Sequence, residues 1–255
     1  MDFSEKLANK IFEFVILVQS LGKKDEYMCK INNSFFHIRK NTSDKFTIDE
    51  IWKHGVYNTE IKRGDIVIDL GANIGSFTIF AAKKSVNGKV LAFEPEYSNY
   101  QQLVKNVNLN KLTNTFCYRL GIAHKKCTLP LFLSDINKGA SSIYESSTKK
   151  IEKINCVSLK SIFKLGNIKK IDLLKMDIEG AEYDILFSTP EYVFQRINSI
   201  ILEFHDFLNI KYNHKKLITF LEKKGFKINI CSPRQYIFSR LYTILFKKGI
   251  IIAIK

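Results

Sequence analysis

The chain has 255 residues, 45% of them apolar and 25% charged, with only 4 Pro. That composition supports one large domain with a sizeable core and argues against collagen-like or disordered tracts. Forty Lys and Arg against 25 Asp and Glu leave a formal charge of +15, which favours an anionic partner without choosing among nucleic acid, lipid and acidic glycan.

Five scattered Cys with no C-x-x-C pair argue against a zinc module or a disulfide framework and for a reducing compartment. Near the start, the apolar run 14–18 is too short to span a bilayer, and no small-residue cleavage site follows it. It reads as an amphipathic helix, and the protein as cytoplasmic. Residues 1–60 are expected to form this helix and a small strand-and-helix cap, and residues 61–255 one α/β domain.

From Asp65 onward strands and helices alternate. Apolar strand runs lie at 65–71 and 88–95, with helical spacing at 76–84 and 97–111. A third strand is expected at 115–123. A two-strand-like insertion (127–133), a polar loop (135–150), a strand at 153–159 and a short helix at 160–165 follow. Strands at 171–177, 199–205 and 226–231 then alternate with helices at 181–188 and 211–224, and an apolar run closes the chain at 249–255. The pattern predicts a doubly wound, mostly parallel seven-stranded sheet, the last strand inserted beside the sixth.

The first core strand ends Asp69-Leu70-Gly71-Ala72-Asn73-Ile74-Gly75 and opens a helix. Gly71 and Gly75 permit a tight turn, and the helix start supplies N–H groups without intrahelical partners. The spacing is not the G-x-G-x-x-G of dinucleotide folds. Asp69 would repel a pyrophosphate but suits the amino group of a cationic sulfonium, so the cofactor read here is S-adenosyl-L-methionine. Glu94, about 25 residues on at the end of the second strand, stands where an acid chelates ribose hydroxyls.

Taken together, GDIVIDLGANIGSFTIFAA, LAFEPE, LVKNVNLN, IDLLKMDIEGAEYDIL and IILEFH resemble the FkbM-type family of adenosylmethionine-dependent methyltransferases over roughly residues 55–205. The resemblance implies a class I methyltransferase (Rossmann-like) fold and O-methylation of sugar or polyketide hydroxyls. By position, it implies that Asp69, Gly71, Asn73 and Gly75 hold the methionine end and Glu94 the ribose. Gly121, at the end of the third strand, falls near the adenine, where the family usually has Ala.

Asp177-Ile178-Glu179-Gly180-Ala181-Glu182 ends the fourth strand at the edge where open α/β sheets bind ligands. Asp177 is expected to face the crevice beside the cofactor, Glu179 to reach substrate, and Glu182 to stabilise the helix start. On the next strand, alternation puts Glu203 and His205 on one face. His205 is the candidate base for a hydroxyl, oriented by Glu203 or Asp177; alternatively, Asp177, Glu203 and His205 bind a divalent metal ion. His37, His54, His124 and His214 read as surface residues. Ser142, in the Gly-bearing loop, is a candidate substrate contact.

The strand end DIEG lacks the proline and aromatic that stack a flipped base, which disfavours nucleobase methylation. The expected acceptor is a hydroxylated small molecule, sugar or glycan. RNA or another anionic polymer is the alternative, and a non-catalytic cofactor-binding scaffold a second one. The basic stretch RQYIFSRLYTILFKK reads as an amphipathic helix able to touch an anionic membrane.

Overall fold

Short apolar runs with helices on either side bury both faces of a parallel sheet. The computed structural model describes residues 10–11, 14–18, 21–22, 25–57, 59–133, 150–206, 212–231 and 248–255. The central sheet contains β3 (Ile66–Leu70), β4 (Lys89–Phe93), β5 (Thr115–Tyr118), β9 (Ile171–Met176), β10 (Ile197–His205), β11 (Lys227–Cys231) and β12 (Lys248–Ile254). Its order is β11-β12-β10-β9-β3-β4-β5. β12 runs antiparallel between β10 and β11, and the remaining pairs are parallel. The seven strands and the inserted last strand match the expectation from sequence. Lys248, expected in the basic helix, instead begins β12.

Alternate residues of each strand feed opposite faces. Ile68, Leu70, Leu91, Leu174 and Leu202 pack with helices α4 (Leu159–Leu165), α5 (Glu182–Ser188) and α7 (His214–Lys223). Between the last two lies a short α6 (Glu191–Phe194), which the periodicity does not signal. Val67, Val90, Leu173 and Ile201 pack on the other side against Phe77 and Ala81 of α2 (Ser76–Lys84), Ile51 of α1 (Asp44–Trp52) and Tyr57. Each fully buried aliphatic side chain contributes about 1.5–3 kcal/mol, so these two layers dominate stability.

The cap is a hairpin, β1 (Glu26–Ile31) and β2 (Ser34–Arg39), followed by α1. Amides spaced four apart on α3 (Tyr97–Leu109) and at its C-terminal end bind the backbone of β2. Asn106 Oδ1 accepts from His37 N at 2.7 Å, Gln102 Nε2 donates to His37 O at 2.5 Å, and Asn110 Oδ1 accepts from Phe35 N at 3.1 Å. Arg39 ties the same joint together, pairing with Asp44 and donating to Ser98 Oγ and Asn99 Oδ1.

The predicted third strand is broken in two. β5 stops at Tyr118, and β6 (Gly121–Ile122) joins a separate three-stranded sheet with β7 (Cys127–Phe132) and β8 (Ile151–Val157). Ala123, Leu131, Ile154 and Cys156 give that sheet its own small core. Ser142 with its loop, and the basic stretch up to Lys247, lie outside the described residues. Among the described residues, no helix is long and apolar enough to cross a membrane.

Candidate active site

The turn after β3 runs through three left-handed residues, Gly71 (φ 74°), Asn73 (φ 50°) and Gly75 (φ 87°). Gly71 is required twice over, since a Cβ there would lie 1.8 Å from the carbonyl oxygen of Asp177. The turn and the end of β4 interlock. Glu94 Oε2 accepts from Asn73 N at 2.8 Å and Oε1 from Glu96 N at 3.0 Å. Burial pushes the Glu94 carboxyl up to about 7, against the opposing pull of these two backbone donors. Asn73 Oδ1 is buried and has no hydrogen-bond partner among the described residues. Such an atom suits a ligand donor like the ammonium of a bound amino acid.

Asp69 departs from its expected role. Its carboxylate is fully buried, accepting from Thr78 Oγ1 at 2.6 Å and pairing with Lys175 Nζ at 3.1 Å, so it is not offered to the crevice. Lys175 sits directly across the β3–β9 ladder from Asp69 and donates to Gly71 O at 2.8 Å. Burial alone would lower its ammonium pKa; the carboxylates of Asp69 and Asp177 override that and hold it raised. Asp69 and Lys175 therefore brace the turn from behind. Gly121 is also displaced from its expected place at a core strand end. It starts β6 with its Cα against Cys156 and Ile154, where a Cβ would meet Cys156 Sγ at 2.8 Å.

After β9, Glu179 (φ 51°) and Gly180 (φ 98°) turn the chain into α5. Asp177, Glu203 and His205 come together as expected, each placing a donor atom within 4.8 Å of the others. His205 is fully buried, with Nδ1 3.2 Å from Glu182 Oε1. Glu182 also accepts from Ile178 N at 2.9 Å, so it fixes both the turn and the imidazole.

Tyr57 had no signal in the sequence. It arrives from the segment after α1, and its hydroxyl lies 2.9 Å from Asp177 Oδ2 and 3.3 Å from Glu203 Oε2. Burial, then the charges of Asp177 and Glu203, raise its pKa well above the ordinary value. Lys175 did leave a signal, because a lysine inside a buried apolar strand requires a partner. His214, read as a surface residue, is tied down: Nδ1 lies 2.6 Å from Asp206 Oδ2, and the ring stacks on Phe204 at 4.6 Å.

A doubly wound sheet with an antiparallel strand slotted beside its edge, a glycine turn after its first core strand and an acid ending the next defines a class I methyltransferase. The fold matches the Methanococcus jannaschii fibrillarin pre-rRNA processing protein at a TM-score of 0.50 and 17% identity, covering 92% of this chain and 85% of that one. The chain belongs to the FkbM methyltransferase family: the model of the methyltransferase FkbM domain matches residues 69–228.

Relatives include methyltransferase sdnD of Sordaria araneosa, 27% identical over 76% of this chain and 86% of its own length. The hexuronic acid methyltransferase AglP of Haloferax volcanii is 26% identical over 57% of this chain and 58% of its own. The 31-O-demethyl-FK506 methyltransferase FkbM of Streptomyces tacrolimicus is 26% identical over 60% and 69%. The protein is thus an S-adenosylmethionine-dependent methyltransferase, and the open Asn73 Oδ1 beside the glycine turn fits that cofactor.

Proposed function

We propose that the enzyme methylates a hydroxyl group on a sugar, glycan or related biosynthetic intermediate. The observation that carries this reading is the convergence of Asp177, Glu203 and His205 at the strand ends adjoining the glycine turn. Bound there, the cofactor supplies an electrophilic methyl group on a sulfonium. Gly71, Asn73 and Gly75 hold its amino acid end, and Glu94 its ribose. Asp177 and Glu203 accept the acceptor's O–H, fixing its oxygen for an in-line displacement; positioning of this kind supplies much of the catalysis. Removing the hydroxyl proton at the cluster adds roughly 10²–10⁴-fold.

The hexuronic acid and the 31-O-demethyl-FK506 named among the relatives support a hydroxylated acceptor. The charge of +15 suits an acidic one. The cap belongs to this reading, since Tyr57 follows it directly and touches both carboxylates. The test is methyl-labelled adenosylmethionine incubated with the protein and fractionated lysate. Label in glycan, glycolipid or small-metabolite fractions is expected. Label confined to RNase-sensitive material would replace the sugar with RNA, and donor binding without turnover in any fraction would leave a scaffold.

A further inference from the structure

Three carboxylates face one nitrogen of the buried His205. Nε2 lies 3.5 Å from Glu179 Oε2, 3.8 Å from Glu203 Oε1 and 3.9 Å from Asp177 Oδ1. These separations are too long for good hydrogen bonds. They suit atoms sharing one ion, because ligands about 2.0–2.2 Å from a small divalent metal stand about 3–4.4 Å from each other.

Each donor is also aimed from its far side. Glu182 holds Nδ1, directing Nε2 toward the carboxylates. Tyr57 engages Asp177 Oδ2 and Glu203 Oε2, which turns the other oxygen of each toward His205. A histidine held by a second carboxylate, with its ligand carboxylates hydrogen-bonded in turn, is the outer support that metal ligands commonly have. Charge points the same way. Asp177, Glu179, Glu182 and Glu203 crowd one imidazole, while Lys175 pairs with Asp69 at 3.1 Å and stands 4.0 Å from Asp177.

We propose that Asp177, Glu203 and His205 bind one divalent first-row cation, with Glu179 at the rim as proton acceptor. One imidazole nitrogen with carboxylate oxygens suits manganese or its first-row neighbours better than calcium. The inference rests on the methyl-transfer reading; it makes His205 a ligand rather than the base, and it has Asp177 and Glu203 hold the acceptor's oxygen through the cation rather than directly. Such a cation would lower the pKa of a hydroxyl it holds, and the proton would pass to Glu179. The oxygen then forms the O–CH₃ bond as the S–CH₃ bond breaks. That electron pair stays on sulfur, leaving a neutral thioether.

The experiment titrates Mn²⁺ into metal-stripped protein and follows the sharp electron paramagnetic resonance spectrum of the free ion. Calorimetry measures adenosylmethionine binding to the same sample. The expected result is one Mn²⁺ per chain, weakened about 100-fold in Asp177→Asn or Glu203→Gln and about tenfold in Tyr57→Phe. The last variant removes only a hydroxyl and keeps the ring edge-on to Phe77, so it separates loss of positioning from loss of fold. A free-ion spectrum undiminished by excess wild-type protein overturns the proposal, as does binding equally tight in Glu203→Gln and Tyr57→Phe. Donor binding without Mn²⁺ binding sinks the metal and spares the methyltransferase reading; the reverse result sinks that reading and spares the metal.

Discussion

At the end of β3, the chain turns through Gly71, Asn73 and Gly75 and offers backbone and one amide oxygen. At the end of β9, the neighbouring strand, it turns through Glu179 and Gly180 and brings carboxylates to a buried histidine. Both turns use left-handed residues, and they touch where Gly71 meets the Asp177 carbonyl. The first is local, completed within one strand–helix–strand unit by Glu94. The second is assembled across the fold, from β9, β10, the start of α5 and a tyrosine 120 residues from Asp177. On the proposed reading, the contrast makes donor binding and acceptor activation separable, although their frameworks share one contact.

Asp177→Asn tests that separation most severely. Turnover should fall roughly 10²–10⁴-fold while calorimetric affinity for adenosylmethionine stays within about threefold of wild type; equal loss of both breaks the contrast. Lys175→Met comes next. Leaving Asp69 buried without its counter-ion should cost about 3–5 kcal/mol in urea unfolding, and a loss under about 1 kcal/mol would remove Lys175 as the brace.

Gly71→Ala attacks the shared contact itself. The positive φ alone should cost about 1–3 kcal/mol, and the collision with Asp177 adds to it. Donor affinity and turnover should drop together, unlike in Asp177→Asn, and unchanged donor affinity would count against the glycine turn as its site.

For Glu94 the effect is smaller and depends on pH. With its folded pKa raised from 4.5 to about 7, the folded protein binds a proton that the unfolded chain has released across that interval. This contribution to stability is therefore full below about 4.5 and is lost as pH rises toward 7. With Glu94 on the ribose diol, as proposed, donor binding favours the ionised carboxylate and should expel the proton. Affinity should rise up to about tenfold per pH unit below 7 and level off above it. In Glu94→Gln the profile should be flat; a surviving slope assigns the titration elsewhere. Far from both turns, Lys105→Gln removes the exposed ion pair with Glu26 in the cap. It should move stability by no more than about 0.5 kcal/mol, which urea titration can read.

How far the sequence foretells this site follows from how far apart its parts lie. Gly71, Asn73, Gly75 and Glu94 sit in one stretch whose apolar period fixes the strand ends. Asp177 follows β9 and Glu203 and His205 end β10, so parallel order puts them on one edge and alternation puts Glu203 and His205 on one face. Tyr57 lies in a segment without periodicity, and only tertiary packing brings it to the carboxylates. Glu182 shows an acid at a helix start, which reads equally well as a partner of the helix dipole. The break after Tyr118 escaped because Arg119 alone interrupts an otherwise largely apolar run over 116–123. In the structure Arg119 turns outward over the Tyr97 ring and pairs with Glu152 of the small sheet.

The insertion of β12 bears on how the enzyme is born. Glu203 and His205 lie opposite Ile250 and Lys248 on this late strand. During synthesis, β10 is therefore an open edge until residues 248–254 emerge from the ribosome. A nascent chain that already has its donor turn still lacks the strand that flanks its acid cluster. Exposed edges of this kind recruit other strands, so a translational pause shortly before residue 248 would hold the polypeptide with that edge uncovered.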